Sequence, residues 1–350
     1  MATTLSNLVD AKSLNRYYAG VKETTLVEAM FPAEYSNDWG FDILKSFNGG
    51  AAQVIQGSNF DADPFFREWE IKTHGKENKK FFREAMALNE KQRFDLLQML
   101  QSKDQNLIDA YMKQIFEQFA GKKGFLASVR ALAAYTASQF LATGKVVFDT
   151  GNGTATTINY GLDNKYRETL TGTHLWSAAT SDPLEDLRRW KETLEDDGKT
   201  VNIALMNKFT YKSLKNHPKV KDLLEKQKIL PTPKNIKAMI EDMTELTIGL
   251  WDEKVSLRNQ VRKVFPDNVV TLIPNGPLGK MAYGPTPAKT DQIFGEADGR
   301  DIVDISGTYA TLEMGRTEKA VSVNNVYAVI QAMVAPNPTI IDAMFIANVG

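Results

Sequence analysis

The sequence predicts an α+β fold assembled from parts of unequal kind, and three observations predict it. Residues 107–143 carry apolar side chains at helical spacing for longer than a small domain needs. Residues 201–273 alternate short strands with short helices, and residues 321–349 return to β character. At 350 residues the chain is long enough for about two to three domains.

From the start, residues 1–35 hold only scattered apolar clusters (Leu5, Leu8; Leu26, Val27, Met30, Phe31) before Pro32 breaks the run. They predict an extended arm that packs on something else. Next, Trp39, Phe41 and Ile43 alternate with Gly40, Asp42 and Leu44, and Asn48-Gly49-Gly50 interrupts before Val54 and Ile55. Alternation around a glycine-rich turn predicts a hairpin. The stretch FFREWEIKTHGKENKKFFRE reads as a charged loop with aromatics beneath it. Its basic and aromatic residues are those that stack on single-stranded nucleic acid, but Glu68, Glu70, Glu77 and Glu84 break up the positive field.

In the long helical run, Ile108, Tyr111, Met112, Ile115 and Phe119 are followed by Leu126, Val129, Ala133, Thr136 and Phe140. A single helix over 107–143 would measure about 55 Å. Gly121 and Gly124 predict a bend or break inside it, and Gly144 fits a C-terminal cap. The Gly151-Asn152-Gly153 triplet lacks the third glycine and the helix of a nucleotide loop, so it predicts a turn. SDPLEDLRRWKETLEDDG then predicts a helix capped by Ser181 or Asp182 and stopped by Gly198, with Leu184, Leu187 and Leu194 on one face.

VNIALM, LTIGLW and NVVTLI predict strands, separated by the helical stretches NKFTYKSLKN, PKVKDLLEKQ and PTPKNIKAMIEDM. Asn275-Gly276 predicts a turn joining NVVTLI to a second strand around Tyr283-Gly284, with Lys280 in or near that hairpin. The tail predicts two apolar strands divided by Pro336 and Pro338.

Chemistry is harder to find. There is no cysteine, which removes disulfides, zinc–thiolate sites and thiol nucleophiles and fits a reducing cytoplasm. The three histidines, His74, His174 and His217, stand far apart in no metal-ligand spacing, and no G-x-S-x-G elbow occurs. Gly279-Lys280 fails as a phosphate loop, because Pro274 stands where the first glycine is needed and Met281 where a hydroxyl is needed. Paired acids such as Asp196-Asp197 fall at a helix end. The expectation is no catalytic residue, no cofactor, no metal and no enzyme. The N-terminal stretch does not read as a signal peptide, and no apolar run approaches the roughly 20 residues that cross a bilayer. Formal net charge is −1, from 42 basic and 43 acidic residues, which argues against a dedicated nucleic-acid reader.

Several segments together resemble the major capsid protein of tailed bacteriophages, in the lambda-type capsid protein E family. They are LVEAMFP, GTHLWSAATSDPLEDLRRW, NIALMNKFTYKSLKNHPKVKDLLEK, FPDNVVTLIPNGPLGKMAYGPTP and YAVIQAMVAPNPTIIDAMFIANV. No one of them is specific; their shared order is. The resemblance covers nearly the whole chain and is weakest over 60–105. It implies an N-terminal arm at 1–35, an extended hairpin loop at 36–85, and a peripheral domain at 86–200 and 301–350 with a spine helix at 107–143. An axial domain would occupy 201–300.

The implied function is self-assembly into hexamers and pentamers that form an icosahedral head shell around double-stranded DNA touched non-specifically. Phe31, Trp39, Phe41 and Ile43 are the expected intersubunit contacts, since aromatics dominate interfaces; the competing reading packs them within their own subunit. The other implied partners are a separate scaffolding protein and a portal, with or without a decoration protein outside, and no membrane. Assembly would take place in the cytoplasm of a bacterial host. Lys45 has nothing that singles it out for a covalent crosslink. The alternative within the same fold is an encapsulin-like compartment shell enclosing protein cargo.

Overall fold

Helix α1 (Ala11–Val21) starts where Asp10 accepts the Ser13 N–H at 2.7 Å, and Ala11, Leu14 and Tyr18 then fall on one face and are buried. The computed structural model describes residues 10–44, 73–88, 91, 94–95, 98–99, 101, 104–149, 155–228, 230–257, 260–297, 299–316 and 326–350. The chain divides into two units. The first comprises Met1–Phe41, Asn78–Ala134 and Lys280–Asn337; the second comprises Asp42–Glu77, Tyr135–Gly279 and Pro338–Gly350.

In the first unit α1 lies against α3 (Gln105–Ala120) and strand β14 (Asp301–Asp304). The Ala11 N–H donates to Asp301 at 2.7 Å, and Asn15 holds Asp304 O and Ser306 N at 2.8 Å each. A short helix α2 (Leu26–Met30), capped by Thr25 and Glu28 in a reciprocal box, leads into strand β1 (Ala33–Tyr35). β1 adds in parallel to β13 (Gly279–Tyr283). The sheet runs β1-β13-β16-β15-β14, with β16 spanning Val326–Pro338 and β15 Thr311–Arg316; β4 (Lys80–Leu88) also pairs with β16. Helix α9 (Pro287–Phe294) follows β13, started by Thr286 with Pro287 in its first turn. Strands β2 (Gly40–Leu44) and β3 (Thr73–Asn78) pair with each other, and most of both, within Asp42–Glu77, is counted with the second unit.

The second unit is built on a sheet of order β7-β17-β12-β8-β9: Arg167–Thr169, Phe345–Asn348, Val269–Ile273, Ile203–Met206 and Thr247–Leu250. Every residue of β12 is buried, as a central strand covered on both faces requires. Helix α5 (Pro183–Glu195), capped by Asp182, lays Leu184, Leu187, Trp190 and Leu194 inward and packs on β17 and on α8 (Pro233–Thr244). Helices α6 (Lys208–Asn216) and α7 (Pro218–Lys226) pack on each other. Two hairpins complete the unit: β5 (Lys145–Asp149) with β6 (Ala155–Asn159), and β10 (Lys254–Leu257) with β11 (Gln260–Lys263).

Several expectations are corrected. Residues 10–35, which the sequence allows a short helix or two, form two helices and a strand packed within the first unit rather than extending, because Ala11, Leu14, Tyr18, Val27, Met30 and Phe31 find burial there. Strand β2 pairs with residues 73–78, and the charged stretch is strand over 73–78 and 80–88, not loop. β12 and β13 are no hairpin: Gly276, at φ +102°, turns the chain out of one sheet and into the other. Pro287 begins α9. Pro336 lies within β16, beyond Val334, the strand's last residue paired with β4. The units also differ from the expected boundaries, since β17 at 345–348 bonds to β12 and β7, and 280–300 goes with the first unit. Leu5, Leu8, Lys45, the Asn48-Gly49-Gly50 turn, Val54, Ile55, Glu68, Glu70 and the Gly151-Asn152-Gly153 turn lie outside the described residues.

The run at 107–143 is two helices, α3 and α4 (Ser128–Thr143), each about 24 Å long, joined through a 3-10 turn at Phe125–Ala127. A Cβ on Gly121 would sit 2.4 Å from Glu117 O, and one on Gly124 2.8 Å from Gly121 N. Phe119 meets Phe125 edge-on at 6.4 Å across the break. In one continuous helix, replacing both glycines by alanine would add about 2 kcal/mol of stability. The clashes reverse that sign. The double variant G121A/G124A is expected to lose about 1–3 kcal/mol, read as a lower urea midpoint of the unassembled protein.

Candidate assembly surfaces

Two internal networks explain why the sequence words of the second unit stand where they do. Trp176 stacks on Trp190 at 6.2 Å and Trp190 on Phe345 at 5.7 Å, so the segment before α5, the helix itself and β17 are joined through rings. Neither indole N–H is left unpaired: Trp176 donates to Asp186 at 3.0 Å and Trp190 to Glu168. The second network centres on buried Asn207 at the start of α6. Its amide donates to Asp267 at 2.5 Å and to Phe265 O, while its carbonyl takes the Thr210 N–H at 2.9 Å. Thr210 Oγ1 accepts in turn from the Asn268 N–H at 2.9 Å, and Asn268 adopts φ +60°, which asparagine tolerates. Pro-Asp-Asn at 266–268 therefore fixes where β12 begins.

In the first unit the base of the β2 strand is clamped by Lys79, whose side chain is buried. Its Nζ donates to Asp38 O at 2.6 Å and Ser36 O at 3.1 Å, and its N–H donates to Trp39 O at 2.9 Å. Burial pushes the Lys79 pKa down, opposed by Asp38 and Glu34. Gly284 explains itself against this lysine: a Cβ there would come within 3.1 Å of both Lys79 Cδ and Met333 Sδ. Tyr283, next to it, is buried, and burial raises its phenol pKa.

Of the four expected intersubunit contacts, Phe31, Phe41 and Ile43 are buried in the chain itself. Their side chains are used internally, which corrects that expectation. Trp39 is 70% exposed and remains available. Other large apolar side chains face solvent that the sequence did not single out: Ile293 and Phe294 at the end of α9, Phe81 on β4, and Leu230 and Val261 in the second unit. Ile293 and Phe294 are adjacent in a short helix, so a periodicity that departs from one-sided burial was the available signal.

The structure does bring one hydroxyl to a histidine. Ser181 Oγ lies 3.1 Å from His217 Nε2, which also lies 3.0 Å from Ala178 O, while His217 Nδ1 accepts the Lys219 N–H at 3.3 Å. An accepting Nδ1 puts the imidazole proton on Nε2, so that nitrogen cannot take the serine proton. Both side chains are buried as well. A cleft of about 570 Å³ beside the helix break is lined by Glu117, Lys122 and Lys123, but Glu117 already accepts from Tyr17 at 2.5 Å and Lys122 pairs with Glu23. In the second unit buried Lys199 lies 3.8 Å from the centre of the Tyr166 ring and donates to its hydroxyl at 2.5 Å. Burial lowers the lysine pKa; burial and then the Asp197 bond raise that of the tyrosine. Among the described residues no cluster of histidine and carboxylates could hold a metal ion, and no helix is long and apolar enough to cross a membrane.

The fold is that of phage capsid proteins. It is similar over 98% of this chain and 99% of the other to the putative capsid protein of a prophage of E. coli CFT073, at TM-score 0.59 and 11% identity. A phage-related protein of Bordetella bronchiseptica RB50 matches at 0.55 and 15%, covering 97% of both chains, and the capsid asymmetric unit of cyanophage A-1(L) at 0.50 and 8%, covering 99% and 98%. No curated protein sequence matches. The family model of phage major capsid protein E matches residues 83–330, and the chain belongs to that family. It is a structural protein of the capsid shell.

The clamp at Lys79 carries a prediction. Lys79→Met keeps the volume and removes both donated bonds, so amides of residues 36–40 are expected to exchange with deuterium at least tenfold faster while those of β12 keep their rates. Unchanged exchange at 36–40 would mean that the lysine does not hold that segment.

Proposed function

We propose that this chain assembles with copies of itself into hexamers and pentamers that close an icosahedral head shell around packaged double-stranded DNA. The observation that carries the reading is the family match over residues 83–330, on a fold shared end to end with capsid proteins. The role is structural rather than catalytic, which the tautomer of the single Ser–His contact described above supports. The second unit, larger than the expected axial segment, is proposed as the axial body. The first unit, with α3 and the β13–β16 sheet, is proposed as the peripheral body. Residues 1–35 would act as the arm, with 10–35 held on their own subunit, and 36–85 as the extended loop toward neighbouring subunits, with Trp39 as an intersubunit anchor at the loop's base. A separate scaffolding protein and a portal complete the partners, with or without an outer decoration protein. Assembly takes place in the cytoplasm of a bacterial host and the product resides in the virion head. An encapsulin-like compartment is the weaker alternative, since the matching family is one of phage capsids.

Electron microscopy of the protein coexpressed with its scaffold is expected to show closed shells of one size; monomers or dimers alone would refute the reading. Correctly sized shells from this chain expressed by itself would remove the separate scaffold. Because Trp39 is exposed in the free chain, Trp39→Ala is expected to change subunit stability by no more than about 0.5 kcal/mol, yet to reduce the yield of closed shells severalfold by sedimentation.

A further inference from the structure

Charge in this chain is segregated. Residues 208–237 contain nine lysines, no arginine and two acidic residues, a net charge of +7, so the other 320 residues carry −8. These thirty residues are α6, α7, the segment after α7 and the start of α8. On α6 the lysines stand at 208, 212 and 215, one helical stripe opposite the buried Thr210 and Leu214. Four of the nine are balanced: Lys208 by Asp252, Lys219 by Asp182, Lys226 by Asp222 and Lys237 by Glu241. Lys212, Lys215, Lys221, Lys228 and Lys234 have no acidic partner among the described residues, and all but Lys215 are exposed. Lys263, 5.1 Å from the centre of the exposed Phe209 ring, adds no net charge there, because Asp267 pairs with it at 2.6 Å.

We propose that this lysine surface is where the shell protein meets packaged double-stranded DNA, holding phosphates without reading sequence. The inference rests on the shell reading above and names the surface that would touch the polymer. The chemistry of the residues chooses the occupant. An interface between copies would strip water from five uncompensated ammonium groups, and lysine is depleted at such interfaces for that reason. An acidic protein segment held firmly would favour arginine, whose planar fork binds carboxylates in pairs and is more weakly hydrated. Lysine is a hydrated point charge on a flexible stem, suited to a phosphate backbone that slides past. With the ion-pair partners Asp182, Asp252 and Glu241 counted beside the nine lysines and two acids, the region keeps an excess of four positive charges in a chain of net −1.

The test compares wild-type protein with K212Q/K221Q/K228Q/K234Q and with a control of equal charge change, K12Q/K113Q/K123Q/K280Q, all exposed lysines. Binding to a 30-base-pair duplex is followed by fluorescence anisotropy from 50 to 200 mM salt, and shells are examined by electron microscopy with scaffold present. Urea midpoints should match wild type for both variants. The proposal expects normal shells and a plot of log K against log salt that is shallower by about 3–4 units for the first variant, about 0.9 for each phosphate no longer neutralised. The control should change by less than one unit. Equal slopes for wild type and the first variant would overturn the proposal. So would failure of that variant to form shells with its DNA slope unchanged, which would assign the lysines to an acidic protein partner. Absence of shells from the wild type would instead defeat the shell reading, whatever the slopes.

Discussion

The second unit depends on one insertion, that of residues 345–348 between two strands from much earlier in the sequence. β17 at 345–348 pairs with β12 on one side and β7 on the other, and Phe345 closes the ring stack begun by Trp176 and Trp190. Until that strand arrives, β12 lacks one of its two neighbours and the indole of Trp190 one of its faces. The sequence separation between β7 and β17 is 175 residues or more, so this closure is of high contact order and forms slowly.

The first unit solves a different problem. Residues 10–35 bring too little apolar surface to fold alone, yet Asp10, Asn15 and the capping box of Thr25 and Glu28 give them defined bonds to make on their own chain. Arg130 carries much of the connection: buried, it reaches the Glu28 carboxylate and Glu23 O. Removing one partner of such a pair leaves an uncompensated charge, so pairs of this kind fix a conformation more than they add to stability. The segment is thereby committed to one place.

What was legible in the sequence was local. Asp182-Pro183 followed by Leu184, Leu187 and Leu194 specifies a helix from its own residues, and the apolar runs at 203–206 and 269–273 specify strands. Gly121 and Gly124 marked the break between α3 and α4, although the steric reason lies in Glu117 and Gln118 of the preceding turn. Pairing was not legible. Asn275-Gly276 has the chemistry of a hairpin turn, and a turn's chemistry says nothing about whether the strands it joins meet. Nor does alternation at 39–43 say which side is covered: Phe41 and Ile43 are buried and Trp39 exposed, although all three share the odd positions. Burial there is settled by what the rest of the chain brings to that strand.

Net charge is silent on placement for the same reason. A total of −1 describes a protein indifferent to polyanions only if the charges are mixed, and here they are not. Over distances longer than the screening length of about 8 Å in physiological salt, a partner senses the face nearest to it rather than the sum. Thirty residues at +7, with −8 on the other 320, show that charge is unevenly distributed along the sequence. The quantity that bears on DNA is therefore the charge of each face. For a shell, such an arrangement has a consequence: one lysine face per subunit would repeat across the whole lattice, so an attraction too weak to matter singly would act in large numbers. Individually weak attractions would hold a long polymer near the wall and still let it move during entry and exit.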